Sequence, residues 1–315
     1  MYNPSDAIIP QRRGTMNRRE FSKVAVAASL TALTLDAAQT NAPRFRKGIT
    51  SGSFAKGKPL ADCFAEAKAA GFEGVEIAMG DQVHLNTPDD DLKRLADAAQ
   101  KNGITIVNVW VSGAIADTPL NADDPKVRAQ GVAGLKRGIK MAKLLGTDSI
   151  LVVPGEVGWG TKMKYGYETT WERVSAEMPK VIPDAEHAGV YLNFEEVWNR
   201  FLTSPLDMRR FIDQFHSKHV AVHFDVGNIL QYGFPQDWIA TLGSRIKRVH
   251  LKDYKMGGFK MGQFVPLLEG SVDWPAVMTA LVKTGYRGFL TPEYGHDTPL
   301  RDISTAWDKI AAMAA

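Results

Sequence analysis

The sequence predicts an α/β fold of the (β/α)8 TIM-barrel class, forming a single domain after an N-terminal signal segment. Three observations carry that expectation. Short β-branched runs alternate with longer helical stretches eight times across residues 46–315. The runs are apolar almost throughout, the pattern of a parallel sheet buried on both faces. No linker or break in composition divides the chain, and α/β barrels of about 250 residues routinely form one unit.

In order, the strands are read at 47–51 (KGITS), 73–78 (EGVEIA), 104–111 (ITIVNVWV) and 148–153 (DSILVV). The second half adds 190–195 (VYLNFE), 219–225 (HVAVHFD), 246–252 (IKRVHLK) and 287–293 (RGFLTPE). Helical patterns lie between them, among them 90–101, 126–145, 168–188 and 275–284, and 299–313 follows the last strand. Gly71, Gly103, Gly146, Gly189 and Gly285 each end a helical stretch just before a strand, where a left-handed cap residue is needed. An open doubly wound sheet would bring a glycine-rich phosphate loop after the first strand, and SGSFAKGKP does not supply one.

Residues 1–45 are read as an address, set apart from the barrel at 46–315. Arg18 and Arg19 precede Phe21 and Lys23, and an apolar run then extends from Val24 to Leu35. A charged region before a short hydrophobic one has the layout of a signal peptide. The Arg-Arg-x-Phe-x-Lys element resembles a twin-arginine (Tat) signal, so a periplasmic or otherwise exported protein is expected. The run is too short for a stable membrane anchor.

Composition narrows the partners. With 38 Lys+Arg against 35 Asp+Glu the formal net charge is +3, too even to point to nucleic acid. The single cysteine, Cys63, excludes internal disulfides and cysteine-based zinc sites, and it is read as a core residue.

In a (β/α)8 barrel the reacting groups stand at the C-terminal strand ends. Those ends carry Glu76 on the second strand and Asn108 with Trp110 on the third. Glu156 follows the fourth, Glu195 and Glu196 end the fifth, His223 and Asp225 the sixth, His250 the seventh and Glu293 the eighth. Carboxylates cannot gather in one apolar mouth without a cation, because like charges there are driven to protonate. Glu195, Asp225, Glu293 and the His250 imidazole make a hard, oxygen-rich set. It suits one divalent ion, Mn²⁺ first, with Mg²⁺ or Co²⁺ as alternatives. His223, two residues before Asp225, shares its strand face one layer lower.

The stretches FEEVWNRFLTSPLDMRRFIDQF, AVHFDVGNILQYGFPQDWI, RIKRVHLKDY, FVPLLEGSVDWPAVMTAL and GYRGFLTPEYG resemble the sugar phosphate isomerase/epimerase group of the xylose-isomerase-like TIM barrels. The resemblance spans residues 47–310. It implies that Glu195, Asp225, His250 and Glu293 hold the metal and that Glu195 and Glu293 are also the acid–base pair. The activity it implies is isomerisation or epimerisation of a sugar or sugar-derived keto compound. A proton next to the carbonyl leaves, an enediolate forms, and a proton returns.

Three positions depart from the ketose epimerases of that group. A glutamate six after the first metal glutamate is Phe201 here, a histidine three after the metal aspartate is Asn228, and an arginine six after the metal histidine is Met256. Substrate contacts are therefore expected from Trp110, Glu156, Trp198, Asn199, Asn228, Lys252 and Asp253. The same departures keep a lyase reading open, in which a 3-keto-glycoside loses its leaving group by β-elimination at the same metal site. A non-catalytic sugar-binding protein is the reading from another class. An endonuclease IV-like DNA-repair role is disfavoured by only seven histidines and no basic face. The expected partner is a small carbohydrate, and association into a homo-oligomer stays open.

Overall fold

Every predicted apolar run becomes a strand of one barrel. The computed structural model describes residues 45–80, 82–258 and 260–314, so all but the last residue of the expected signal segment lies outside the described residues. In chain order the strands are β1 (Arg46–Thr50), β2 (Gly74–Ala78), β3 (Thr105–Trp110), β4 (Ser149–Val152), β5 (Gly158–Trp159) and β6 (Lys162–Met163). They continue as β7 (Tyr191–Phe194), β8 (Val220–Asp225), β9 (Ile246–Leu251), β10 (Asp253–Gly257), β11 (Lys260–Val265) and β12 (Phe289–Pro292). Eight of these close into a parallel barrel in the order β1-β12-β9-β8-β7-β4-β3-β2.

The remaining four form two antiparallel hairpins, β5–β6 and β10–β11, inserted after β4 and β9. Neither hairpin was foreseen. GWGTKM and the MGGFKMG turn region lack the long alternation that marks a hairpin, and both lie at barrel loops read as irregular.

The five expected glycine caps all have positive φ, between 64° and 87°. The 168–188 helical stretch is instead broken into Tyr167–Glu177, a single 3-10 turn at Met178–Lys180, and Ile182–Ala188. Pro179 and Pro183 lack the N–H that a continuous helix needs, which explains the break. Cys63 is buried in the core cluster. Burial pushes its thiol up to about 11, so it stays protonated and inert. Inside the barrel, Asn193 donates to Ser149 Oγ (2.7 Å) and Ser149 to Asn108 Oδ1 (2.6 Å). That chain ties β7, β4 and β3 together beneath the mouth. Among the described residues no helix is long and apolar enough to cross a membrane.

Asp253 organises the segment after β9. Its buried carboxylate accepts from the backbone N–H of Tyr254 (2.9 Å), Leu268 (2.9 Å), Gly270 (3.2 Å) and Val272 (3.3 Å), and from the Trp274 indole (3.1 Å). These bonds fold the LLEGSVDW segment around one charge and hold Leu268 at a left-handed φ of 74°. Removing the carboxylate strands five donors, so Asp253→Ala should cost about 3–5 kcal/mol, read as a lower urea midpoint. Gly270→Ala is expected to act in the same direction, since its Cβ would lie 2.0 Å from Asp253 Oδ1. An unchanged midpoint in both variants would refute the hub.

Candidate metal centre and active site

The mouth of the barrel is built around His250. β9 pairs with β8 in a register that sets His250 beside Asp225, and with β12 so that it faces Thr291. Glu195 and Glu293 each follow the last residue of β7 and β12. Their backbone N–H groups bond to Val152 O (3.0 Å) and Leu251 O (3.2 Å), which continues the ladders by one step. Four neighbouring strands thus deliver their polar side chains at one level.

Local chemistry aims each group. Asp225 caps the short helix Val226–Ile229 by accepting the Asn228 N–H at Oδ1 (2.8 Å), which leaves Oδ2 turned to the mouth. The helix starts hard against β9, for a Cβ on Gly227 would come within 2.6 Å of Lys252 Cβ. On the other side of the imidazole, His250 Nε2 lies 3.0 Å from Glu76 Oε1 on β2. Donation of Nε2–H to that carboxylate fixes the tautomer and turns Nδ1 toward the cluster. Nδ1 is 3.2 Å from Glu195 Oε1, 3.0 Å from Glu293 Oε2 and 3.8 Å from Asp225 Oδ2.

Glu195, Asp225, His250 and Glu293 can each offer one ligand atom, all within 4.8 Å of one another. Glu195 Oε2 is buried without a hydrogen-bond partner, while Asp225 Oδ2 and Glu293 Oε2 meet the charged groups of His250 and Lys252. Three carboxylates converging beside one imidazole, one of their oxygens left without a partner, fit a divalent ion of the oxygen-preferring class. Lys252 Nζ also reaches into the cluster, 3.0 Å from Asp225 Oδ2 and 2.9 Å from Glu293 Oε2.

The electrostatics separate the two glutamates. Burial pushes Glu195 up to about 7, against the pull of its hydrogen bond to His250. Burial pushes Glu293 up as well, but Lys252 and His250 together outweigh it and hold that carboxyl at about 2. Burial opposes a charge on His250, yet Glu76, Glu195 and Glu293 keep its pKa well above the ordinary imidazole range. His223, fully buried one layer down, is pushed the opposite way by burial and by the charge of His250, so it is neutral. Its ring centroid is 4.0 Å from that of His250, and neither of its nitrogens has a hydrogen-bond partner.

The expected substrate contacts divide into two groups. Trp110, tilted against His250 at 6.0 Å, stands at the mouth with Lys252, as does Trp198 behind the β10–β11 hairpin. The others are engaged in scaffolding. Asn199 donates to Gly155 O (2.6 Å) and accepts from the Phe201 N–H (3.0 Å), tying the loops after β4 and β7. Asn228 donates its amide to Glu196 O (3.1 Å), and Glu156 is paired with Lys164 and the Trp159 indole. The Asp253 carboxylate is taken up by its own loop, as described above. These four side chains thus also hold the loops around the mouth.

The departures from the ketose epimerases hold in space too. Phe201 packs among Tyr167, Trp171 and Phe211, away from the carboxylates. Met256 is half exposed on the hairpin. Sequence reasoning placed Glu76 at a strand end without a role, and no spacing rule links residues 174 positions apart. It missed Phe264 and Tyr294, which line the cavity above Glu293, because one sits on an unforeseen hairpin and the other looks like any buried tyrosine.

Comparison with known proteins agrees with this geometry. A family model described as the xylose isomerase-like TIM barrel matches residues 64–313. The L-ribulose-5-phosphate 3-epimerase UlaE of Escherichia coli O1:K1 / APEC is 26% identical over 287 residues, covering 85% of this chain and 96% of that protein. The D-psicose 3-epimerase of Clostridium cellulolyticum H10, solved with D-tagatose, superposes with a TM-score of 0.71 at 19% identity over 86% of this chain and 99% of its own. A 3-keto-D-glucoside 4-epimerase from E. coli gives 0.68 at 15% identity over 85% and 99%. At those identities the two structures show a shared fold.

Two outcomes follow for metal binding. A cation must displace protons from His250 and, below a pH of about 7, from Glu195. Both effects strengthen binding as pH rises. Titration calorimetry should therefore show Mn²⁺ affinity weakening as the pH falls, by up to about a hundredfold per unit below about 7, where both groups must lose a proton, and a flat profile would exclude this ligand set. Glu76→Gln should weaken Mn²⁺ about 10–100-fold while leaving the far-ultraviolet circular dichroism unchanged.

Proposed function

The chain belongs to the xylose isomerase-like TIM-barrel family, and from that premise we propose that it is a divalent-metal-dependent sugar isomerase or epimerase that moves a proton next to a carbonyl. The observation that carries the reading is the pair Glu195 and Glu293. They come from strands three places apart in the barrel and meet on the same His250 Nδ1, with proton affinities driven in opposite directions. Titratable groups pushed apart in this way mark an acid and a base.

Glu195, Asp225, His250 and Glu293 would hold the ion, with Mn²⁺ as the leading identity. When bound, it supplies Lewis-acid polarisation of the carbonyl and stabilises the charge of the enediolate. The protein supplies the rest. Glu293, ionised and partly open to the cavity, takes the proton from the carbon beside the carbonyl. Glu195, whose proton affinity burial raises, takes up a proton and delivers it to the other face, which inverts that centre. Return to the neighbouring carbon interconverts ketose and aldose. The Lys252 ammonium, held against Glu293 and Asp225, orients both carboxylates and faces the negative charge that develops on the substrate oxygens. Substrates of the relatives' kind, small sugars with a keto group, fit this chemistry.

A lyase reading is favoured by one observation. The places where the epimerases grip a ketose hold a buried Phe201, an Asn228 bound to backbone and an exposed Met256. The same proton abstraction beside the ketone of a 3-keto-glycoside would expel the β substituent with its bonding electrons, and the departing oxygen would take up a proton.

Incubation of the Mn²⁺-loaded enzyme in D₂O with ketoses, aldoses and 3-keto-glycosides separates these outcomes. Deuterium next to the carbonyl with an intact skeleton identifies an isomerase or epimerase, and a released aglycone identifies a lyase. Glu293→Gln and Glu195→Gln should each slow exchange by about 10²–10⁴-fold. No exchange from metal-loaded enzyme would overturn the catalytic reading in favour of a sugar-binding protein. Export is part of the proposal, resting on Arg18, Arg19, Phe21 and Lys23. Replacing both arginines by lysine should strand a folded reporter in the cytoplasm, and unaltered export would remove that part.

A further inference from the structure

Phe264 stands on β11 with its ring nearly half exposed. One face stacks on Trp198 at 4.9 Å and 19°, and Tyr254 meets both rings edge-on at 5.3 and 5.2 Å. Tyr254 is itself fully buried, and the Trp198 indole is pinned to Asn228 O at 3.1 Å. The three rings therefore lock one another, and Phe264 is a rigid plane despite standing on an exposed hairpin.

That plane forms one wall of a cavity of about 490 Å³, within the size range of ligand pockets. Glu293 and Lys252 lie in the same cavity, and Lys252 Nζ is 5.4 Å from the Phe264 centroid. In the remaining lining the Asp253 carboxylate is enclosed by its loop, the Tyr294 hydroxyl accepts the Leu267 N–H, and Thr298 adds one hydroxyl. These are fewer polar partners than the hydroxyls of an open-chain polyol. A closed ring would lay an apolar face on Phe264.

We infer that Phe264 is a specificity-determining residue, and that the substrate is a keto-glycoside whose second ring stacks on it while the reacting sugar faces Glu293. The inference rests on the proton-transfer reading, which sets the end of the ligand that meets the carboxylates. Packing of a ring against a fixed aromatic plane is worth about tenfold in affinity beyond simple burial.

Phenyl and methyl 3-keto-β-glucoside separate the ring from the reacting sugar. Binding of both is measured by calorimetry on the metal-free enzyme with Glu293 intact, and deuterium exchange on the same enzyme loaded with Mn²⁺. The phenyl glycoside should bind about tenfold tighter than the methyl one. Phe264→Ala should abolish that preference through KM, leave the methyl glycoside within about twofold, and keep the Mn²⁺-induced thermal shift. Phe264→Tyr should restore the preference. Equal binding of the two glycosides to protein with Phe264 intact, or an equal loss for both in Phe264→Ala, overturns the inference. A phenyl preference in binding without any exchange would uphold Phe264 as the ring wall and overturn the proton-transfer reading instead.

Discussion

Everything at the barrel mouth depends on how four carboxyl groups are made to share one small space. Two like charges about 4 Å apart repel by about 4 kcal/mol even at an effective dielectric near 20. Glu76, Glu195, Asp225 and Glu293 all lie about 3–4 Å from one imidazole ring, and Lys252 is the one ammonium against them. The positive charge from these protein groups falls short of the negative, a difference that a divalent ion would make up. The asymmetry between Glu195 and Glu293 has the same origin. Lys252 touches Glu293 directly, so that carboxyl stays ionised, whereas Glu195 is more deeply enclosed and burial dominates.

The constraint extends into the scaffold. His250 presents Nδ1 only because Glu76, across the barrel on β2, accepts from its other nitrogen. Asp225 presents one oxygen because the first turn of the following helix occupies the other. Gly227 lets that helix approach the Lys252 stem, and Asp253 anchors the segment that follows. A short run of residues, from His250 to Asp253, therefore supplies a ligand, a cation and a loop anchor in succession. Only the first two face the cluster.

The hairpin inserted after β9 gives the site its individual character. The metal cluster is made of strand ends and would look alike on any barrel with these residues. The wall above it comes from a loop, where TIM barrels vary and where ligand choice is decided. Trp198 arrives from the loop after β7 and Phe264 from β11, so the stacked pair joins two insertions that the sequence holds 66 residues apart.

The sequence by itself determined the eight strands, their order of hydrophobic and polar residues, the glycine caps and the three carboxylates, Glu195, Asp225 and Glu293, that gather with His250. These are local signals: periodicity, a cap that needs positive φ, a charged residue at the end of an apolar run. Other roles were not legible there. Asn199, Asn228, Glu156 and Asp253 look like ligand contacts by position, and their bonds to nearby loop groups appear only in the fold, because an anchoring carboxylate or amide and a ligand-binding one are the same residue types in the same place. Glu76 is legible as a strand-end carboxylate but not as the partner of His250, and Phe264 carries no local mark. Which nitrogen of His250 faces the cluster, which glutamate keeps its proton, and which aromatic face is left open were decided by tertiary structure alone. Those properties depend on burial and on partners brought together across the barrel, and linear spacing contains neither.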